Sequence, residues 1–189
     1  MTRELILVTG GARSGKSAYA QELALKRNER TLFLATAQPG DAEMAERIAR
    51  HRRLRPQGWL TIEEHLDLVA AYARIPSDVE MVIVDCLTLW VSNVLLAKDS
   101  HIEDVNRAGR IQEEILHQAE KLLAAYDKGK ASLIVVTNEV GMGLVPDTPI
   151  GRVFRDALGR VNQLFASKAD LVYLMVAGLP MEVKSRRPF

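Results

Sequence analysis

The sequence has one cysteine, Cys86, so an intrachain disulfide cannot form and a cysteine-rich zinc site is excluded. It has no run of about 18 uncharged apolar residues, and its first apolar run, residues 5–8, is too short for a signal sequence. It also lacks an excess of one charge, since 25 Lys and Arg residues against 24 Asp and Glu residues leave +1. These absences predict a cytoplasmic protein without a membrane or nucleic-acid partner, in which any anion site is local.

The chain of 189 residues is 48% hydrophobic and 26% charged, which is typical of a globular protein and fits one domain spanning residues 1–189. Short apolar runs rich in Val, Ile and Leu recur without polar alternation, as in strands buried on both faces of a parallel sheet. Weaker patterns predict a short strand within 58–64 and an edge strand at 181–184. The main predicted strands are residues 5–9, 31–35, 81–85, 133–137 and 171–176.

The segments between these strands carry apolar residues at steps of three and four, with charged residues between them. This spacing is typical of helices that cover a sheet with one face. The alternation of strands and helices predicts an α/β fold, with a mainly parallel sheet flanked by helices. The predicted helices are residues 17–27, 41–54, 88–96, 102–126 and 150–167.

A phosphate-binding loop is predicted where the first strand meets the first helix. The segment fits the pattern G-x-x-x-x-G-K-[ST], and its position between strand and helix is the one that the mechanism requires. The glycines let backbone N–H groups point at phosphate oxygens, the lysine reaches the outer phosphates, and the serine hydroxyl binds Mg²⁺. We therefore expect a nucleoside triphosphate site formed by Gly10, Gly11, Ala12, Arg13, Ser14, Gly15, Lys16 and Ser17.

Polar residues also follow two other predicted strands. Asp85 ends an apolar strand, where P-loop proteins hold magnesium with a carboxylate, although an aspartate there could equally cap the helix that follows. Thr137, Asn138 and Glu139 close another strand at the carboxyl edge of the sheet, where α/β proteins bind ligands. For these three, water positioning, substrate contact and loop capping all remain open.

An unusual basic segment, residues 47–56, contains five arginines and no acidic residue. Helical spacing places Arg47, His51 and Arg55 on one face before Pro56 ends the helix. Neighbouring guanidinium groups disfavour a protonated imidazole, so His51 is expected to be neutral and nucleophilic while the arginines hold phosphates. A histidine that accepts a phosphoryl or nucleotidyl group needs these conditions. A solvated basic face and an RNA-binding helix are the alternative interpretations.

Taken together, these residues resemble the bifunctional adenosylcobinamide kinase and adenosylcobinamide-phosphate guanylyltransferase family of cobalamin biosynthesis. The resemblance spans nearly the whole chain, and its most specific part is the spaced signature of His51-Arg52, Arg55-Pro56, Trp59 and Thr61. It also includes residues 9–17, 35–37, 85–88, 137–141, 146–152 and 176–180, with Arg47, Ile48, Glu63 and Asn93.

The resemblance implies a RecA-like P-loop domain that assembles as a homotrimer. It implies phosphorylation of adenosylcobinamide by ATP or GTP, and then transfer of GMP to adenosylcobinamide phosphate through a guanylylated His51. Mg²⁺, bound by Ser17 and Asp85, is the expected metal. Besides the P-loop, the implied nucleotide site comprises Ala35, Thr36, Ala37, Arg52, Arg53, Leu54, Arg55, Glu63 and Asp85.

Three other functions remain compatible with these motifs. A small-molecule kinase would use the P-loop and leave His51 as a bystander, and a relative specialised for guanylyl transfer would have lost the kinase step. A nucleotide switch or RNA-binding ATPase would use the basic helix on nucleic-acid phosphates, although the near-neutral charge argues against it.

Overall fold

The computed structural model describes residues 3–27, 29–99, 102 and 104–185, and its centre is one seven-stranded sheet. The strand order is β3-β2-β4-β5-β1-β6-β7, so the first strand lies inside the sheet. The strands are β1 (Leu5–Gly10), β2 (Thr31–Ala35), β3 (Leu60–Glu63), β4 (Met81–Asp85), β5 (Ser132–Val136), β6 (Leu171–Val176) and β7 (Leu179–Lys184).

Six of the seven strands are parallel, and only β7 pairs antiparallel with its neighbour β6. In register, Ala35 of β2 lies opposite both Glu63 of β3 and Asp85 of β4, and Asp85 lies opposite Val136 of β5. The carboxyl ends of these strands therefore meet along one edge of the sheet, where ligands of α/β proteins bind.

The helices begin at side chains that cap their first N–H groups in four of six cases. Asp41, Asp67, Asp104 and Thr148 accept these bonds, which satisfies donors that have no partner inside the helix. The helices are α1 (Lys16–Arg27), α2 (Ala42–Arg53), α3 (Leu68–Ala73), α4 (Leu87–Lys98), α5 (Val105–Lys128) and α6 (Pro149–Lys168).

Successive side chains of the central strands point to opposite faces of the sheet and belong to two separate hydrophobic cores. In β1, Leu5 and Leu7 belong to the larger core with residues of α3, α4, α5 and α6, whereas Ile6 and Val8 belong to the smaller core with α1. All four are 2% exposed or less, as expected for a strand covered on both faces. Helix α2 differs from the others because none of its residues is buried.

The α/β class and the mainly parallel sheet predicted from the sequence are confirmed. The five main strands and the two weaker ones are present, and every strand end lies within two residues of its predicted position; the strand predicted within 58–64 covers Leu60–Glu63. Helix α3 was not predicted, because six residues give too short a pattern. The prediction that a helix begins at residue 102 is wrong, since Asp104 caps a helix that begins at Val105. Within the described ranges, every helix is too short or too polar to cross a membrane.

Candidate functional site

The P-loop closes tightly around the amino end of α1. Gly10 has φ +146°, and Lys16, the first residue of the helix, is only 7% exposed. The Lys16 Nζ donates to the Gly11 carbonyl at 2.5 Å, so the ammonium group lies against the loop. Burial lowers the pKa of Lys16, an effect that Cys86 and Asp85 oppose and Arg47 reinforces. Gly11, Ala12 and Arg13 are exposed, and Arg13 has a positive φ of 58°.

The turn between β6 and β7 supports this loop from the neighbouring strand. Gly178 N–H donates to the Ser14 carbonyl at 3.0 Å. A Cβ at Gly10 would lie 2.6 Å from the Met175 carbonyl oxygen, and one at Gly15 would lie 3.3 Å from the Gly178 Cα. Glycine is thus required at Gly10 by close approach of the backbone as well as by φ. Sequence reasoning missed this support because Gly178 lies more than 160 residues from the loop.

Asp85 faces the P-loop rather than the helix that follows it. The Ser17 side chain lies close enough to the Asp85 carboxylate to lower its pKa. The N-cap of α4 is Cys86, which makes no side-chain capping bond, so the alternative that Asp85 caps this helix is wrong. Burial raises the pKa of Asp85, and Ser17, His51, Arg55 and Lys16 oppose this rise.

Ser17 and Asp85 fit a magnesium ion. A hydroxyl and a carboxylate are hard oxygen ligands, and a carboxylate that burial destabilises as an anion gains from a nearby divalent cation. The described residues contain no group of three or more His, Cys, Asp or Glu side chains that could hold a metal alone. Mg²⁺ does not need such a cage, because phosphate oxygens and water complete its coordination.

Thr36, the residue after β2, is hydrogen-bonded to Cys86, the residue after β4. It is fully buried, its hydroxyl donates to the Cys86 carbonyl at 2.8 Å, and it accepts from Cys86 N–H at 2.7 Å. Its carbonyl accepts from Asn93 Nδ2 at 2.8 Å and lies 3.3 Å from His65 Nδ1. The hydroxyl and the carbonyl of Thr36 are therefore both hydrogen-bonded to other groups of the protein. Ala35 is also buried, whereas Ala37 is partly exposed.

His51 is half-buried on α2, and its pKa is lowered, as the sequence predicts. Burial adds to the effect of the neighbouring arginines. Burial is the main factor that lowers its pKa, and Arg47, Arg50 and Arg55 lower it further. Asp85 opposes the effect, so the carboxylate at the end of β4 and the imidazole are close enough to interact. The structure thus brings the arginine helix and the P-loop side of the sheet to one place.

The arginines that follow His51 have different environments. Arg52 pairs with Glu63 at the end of β3, and both side chains are exposed. Arg55 stacks on Phe33 with its guanidinium carbon 4.0 Å from the ring centre, and its Nη1 donates to Thr61 at 3.2 Å. Burial lowers the pKa of Arg55, and its Nε has no hydrogen-bond partner among the described residues. Arg53 and Leu54 are exposed, and Leu54 is the C-cap of α2.

A buried network fixes the segment after β5. Asn162 of α6 accepts from the Thr137 hydroxyl at 2.7 Å and donates to the Asn138 carbonyl at 2.9 Å. The Thr88 hydroxyl accepts from Asn138 N–H at 2.7 Å. Glu139 N–H donates to the Gly10 carbonyl at 3.0 Å, which ties this segment to the P-loop. Sequence reasoning gave no role to Thr88, although it lies in the stretch 85–88 that carries the resemblance. It missed Asn162, since a lone polar residue within an amphipathic helix gives no signal.

Comparison with known proteins gives a consistent result over nearly the whole chain. A family model described as cobinamide kinase / cobinamide phosphate guanyltransferase matches residues 6–183. The bifunctional adenosylcobalamin biosynthesis protein CobU of Escherichia coli K12 is 41% identical over 186 residues, covering 95% of this chain and 99% of the relative. The protein CobP of Pseudomonas aeruginosa, with the same description, is 41% identical over 182 residues, covering 96% and 97%.

Among solved structures, that of the RadB recombinase is similar to this chain. It aligns with a TM-score of 0.49 and 16% identity, over 90% of this chain and 73% of that one.

Proposed function

Because the chain belongs to the family of cobinamide kinases and cobinamide-phosphate guanylyltransferases, we propose that it performs both reactions at one nucleotide site. Adenosylcobinamide is phosphorylated by ATP or GTP, and GMP from a GTP molecule is then transferred to that phosphate to give adenosylcobinamide-GDP. The observation that carries this proposal is that Asp85 lies close enough to both His51 and Ser17 of the P-loop to interact with each.

In the phosphorylation step, the hydroxyl oxygen of the substrate attacks the γ-phosphorus. The bond to the β,γ-bridging oxygen breaks, the nucleoside diphosphate leaves, and the hydroxyl proton passes to solvent. Backbone N–H groups of the P-loop and Lys16 hold the outer phosphates and stabilise the charge that develops on them. Arg47 lies close enough to Lys16 to lower its pKa, so it adds positive charge on the same side.

In the guanylylation step, the unprotonated ring nitrogen of His51 attacks the α-phosphorus of GTP. A P–N bond forms, the bond to the α,β-bridging oxygen breaks, and pyrophosphate leaves. An oxygen of cobinamide phosphate then attacks the same phosphorus, and the P–N bond returns its electron pair to the ring. The lowered pKa of His51 keeps the ring neutral for the first attack.

Arginines next to His51 are proposed to hold the nucleotide through both displacements. Arg55 is already oriented by Phe33 and Thr61, so little side-chain entropy is lost when it binds a phosphate. Arg52 is oriented by Glu63 in the same way. Mg²⁺ bound by Ser17 and Asp85 would neutralise charge on the phosphates.

We further propose that the protein is a cytoplasmic homotrimer. The proposal of a trimer rests on the resemblance, and a surface suited to self-association supports it. Leu179, Met181 and Val183 alternate along the edge strand β7 and are 70%, 55% and 55% exposed. Apolar side chains on an unpaired sheet edge favour association with another chain. The lone cysteine suits a reducing compartment.

The decisive experiment is incubation of the protein with α-labelled GTP in the absence of cobinamide, followed by denaturation. We expect a covalent label that is lost in acid and retained in alkali, because a histidine phosphoramidate has this lability. Chase with unlabelled cobinamide phosphate should move the label to the corrinoid product. Label from γ-labelled GTP should instead appear in pyrophosphate.

Two variants separate this proposal from the alternatives. His51→Ala should abolish the label, while His117→Ala, which alters an exposed histidine on α5, should not change it. A wild-type protein that phosphorylates cobinamide without forming the adduct would be a kinase only, and one that forms the adduct but cannot phosphorylate would be a transferase only. RNA-stimulated hydrolysis without either product would support the nucleic-acid alternative.

A further inference from the structure

The loop between β5 and α6, residues 140–148, carries three strongly exposed apolar side chains. Leu144 is 97% exposed, Met142 is 82% exposed and Val145 is 67% exposed. The loop follows Asn138 and Glu139, and because Glu139 N–H donates to the Gly10 carbonyl, the loop begins next to the P-loop. None of the roles proposed above uses it.

Both ends of this loop are fixed by hydrogen bonds. Glu139 Oε1 accepts from Gly141 N–H at 2.7 Å at the first end. At the second end, Arg152 Nη1 donates to the carbonyls of Pro146 and Asp147 at 3.0 and 2.7 Å. The exposed apolar residues therefore lie on a segment that hydrogen bonds restrain at both ends.

A glycine in α6 makes the second anchor possible. A Cβ at Gly151 would lie 2.8 Å from both the Pro146 Cβ and the Thr148 Oγ1. Its absence lets Pro146 pack against the first turn of the helix while Thr148 caps Gly151 N–H at 3.2 Å. The stretch 146–152 that the sequence analysis singled out thus acts as the base of the loop.

We infer that residues 140–148 bind the corrinoid substrate, with Met142, Leu144 and Val145 contacting an apolar face of its macrocycle. This inference rests on the proposed function and adds the substrate contact that it lacks. A corrin ring is a broad, methyl-rich surface, and the transfer chemistry requires its side chain to reach the P-loop and His51. A restrained apolar segment that begins next to the P-loop meets both needs, and preorganisation lowers the entropy lost on binding.

A second copy of this chain is the competing occupant, and the observations favour it less. The apolar residues of the loop form a short projection anchored to the site, whereas β7 offers a longer row of exposed apolar side chains on a sheet edge. The loop also continues directly from Glu139, whose N–H is bonded to Gly10. Because the loop continues from a residue bonded to the P-loop, the acceptor substrate is favoured over a second subunit as its partner.

The test compares Leu144→Ser with Leu25→Ser, which removes an exposed leucine near the end of α1, at the opposite edge of the sheet. For each variant, we would measure KM for cobinamide and for the nucleotide, formation of the covalent GMP adduct from GTP alone, and molar mass by light scattering. We expect Leu144→Ser to raise KM for cobinamide about 10-fold or more, because the apolar contact that the bound corrinoid would bury against Leu144 is lost. The other quantities should not change, and Leu144→Met should restore KM.

Two results would overturn the inference. An unchanged KM for cobinamide in Leu144→Ser and in the double variant Met142→Ser with Leu144→Ser would show that the loop does not contact the substrate. Loss of oligomer mass together with loss of adduct formation would show that it contacts another subunit. Failure of the wild-type protein to form adduct or corrinoid product would instead disprove the proposed function, so the two failures are distinguishable.

Discussion

The P-loop and the arginine helix α2 are both proposed to bind the phosphates of the nucleotide, but they are packed into the protein very differently. The loop joins a largely buried strand to a helix whose first lysine is buried, and its backbone is bonded to Glu139 in the segment after β5 and to Gly178 in the β6–β7 turn. Helix α2 has no buried residue, and the side-chain contacts of its C-terminal region include those of Arg52 with Glu63 and of Arg55 with Phe33 and Thr61. One region is part of the fold's core, and the other lies on its surface.

Because of this difference, substitutions in the two regions should affect the stability of the fold and the catalytic activity to different extents. Substitutions on α2 remove little buried apolar area, so their effects on activity report chemistry with little change in folding. Substitutions at the P-loop change both, because the loop's backbone is packed against neighbouring strands. Four experiments test this contrast.

Lys16→Ala should have the largest effect on activity, reducing both phosphorylation and guanylylation about 100- to 1000-fold, because one group serves the phosphates in each reaction. Each rate would be measured separately, by corrinoid product and by covalent label. Lys26→Ala, which removes an exposed lysine from the same helix, is the matched control. Normal turnover in Lys16→Ala would contradict a shared nucleotide site.

Gly10→Ala should have the largest effect on stability, because the new Cβ meets the Met175 carbonyl at 2.6 Å and φ is +146°. We expect a loss of about 1–3 kcal/mol in the free energy of unfolding, measured by denaturant titration. Gly109→Ala is the control, since that glycine lies in α5 and a Cβ there would meet nothing within 4 Å. There the change should stabilise the protein by about 0.5–1 kcal/mol. Equal stability of the two variants would show that the P-loop is not tightly packed.

Asp85→Asn should raise the Mg²⁺ concentration needed for half-maximal rate about 10- to 100-fold, because one charged ligand is lost. The maximal rate should recover in part at high Mg²⁺. Asp78→Asn, which breaks an exposed ion pair with Arg30, should leave the titration unchanged. An unchanged titration in Asp85→Asn would remove this carboxylate from the metal site.

The pH dependence of adduct formation should show the smallest change. The pKa of His51 lies below its ordinary 6.5, so the neutral ring persists and the rate should hold as the pH falls through 6.5, declining only at lower pH. Arg50→Gln removes a charge that lowers this pKa, so the acid limb should move to higher pH. Lys26→Gln, with the same loss of charge near the opposite edge of the sheet, should leave the limb in place. A shift to lower pH in Arg50→Gln would show that the limb belongs to another group.

The sequence by itself determined the elements and the local chemistry. Apolar runs without alternation predicted β1, β2, β4, β5 and β6, since strands buried on both faces are mostly Val, Ile and Leu. The P-loop motif and the basic helix were also visible, because their residues are adjacent along the chain. The neutral tendency of His51 followed from its arginine neighbours, although burial proved to be the larger cause.

The tertiary structure decided which of these pieces act together. The order of strands in the sheet placed Asp85 beside Ser17, and this contact ruled out a capping role that the sequence had left open. The same packing engaged the Thr36 hydroxyl with Cys86 and brought Gly178 against Ser14. Contacts between residues far apart in sequence depend on strand order, helix packing and close backbone approach, and one sequence carries no periodic signal for them.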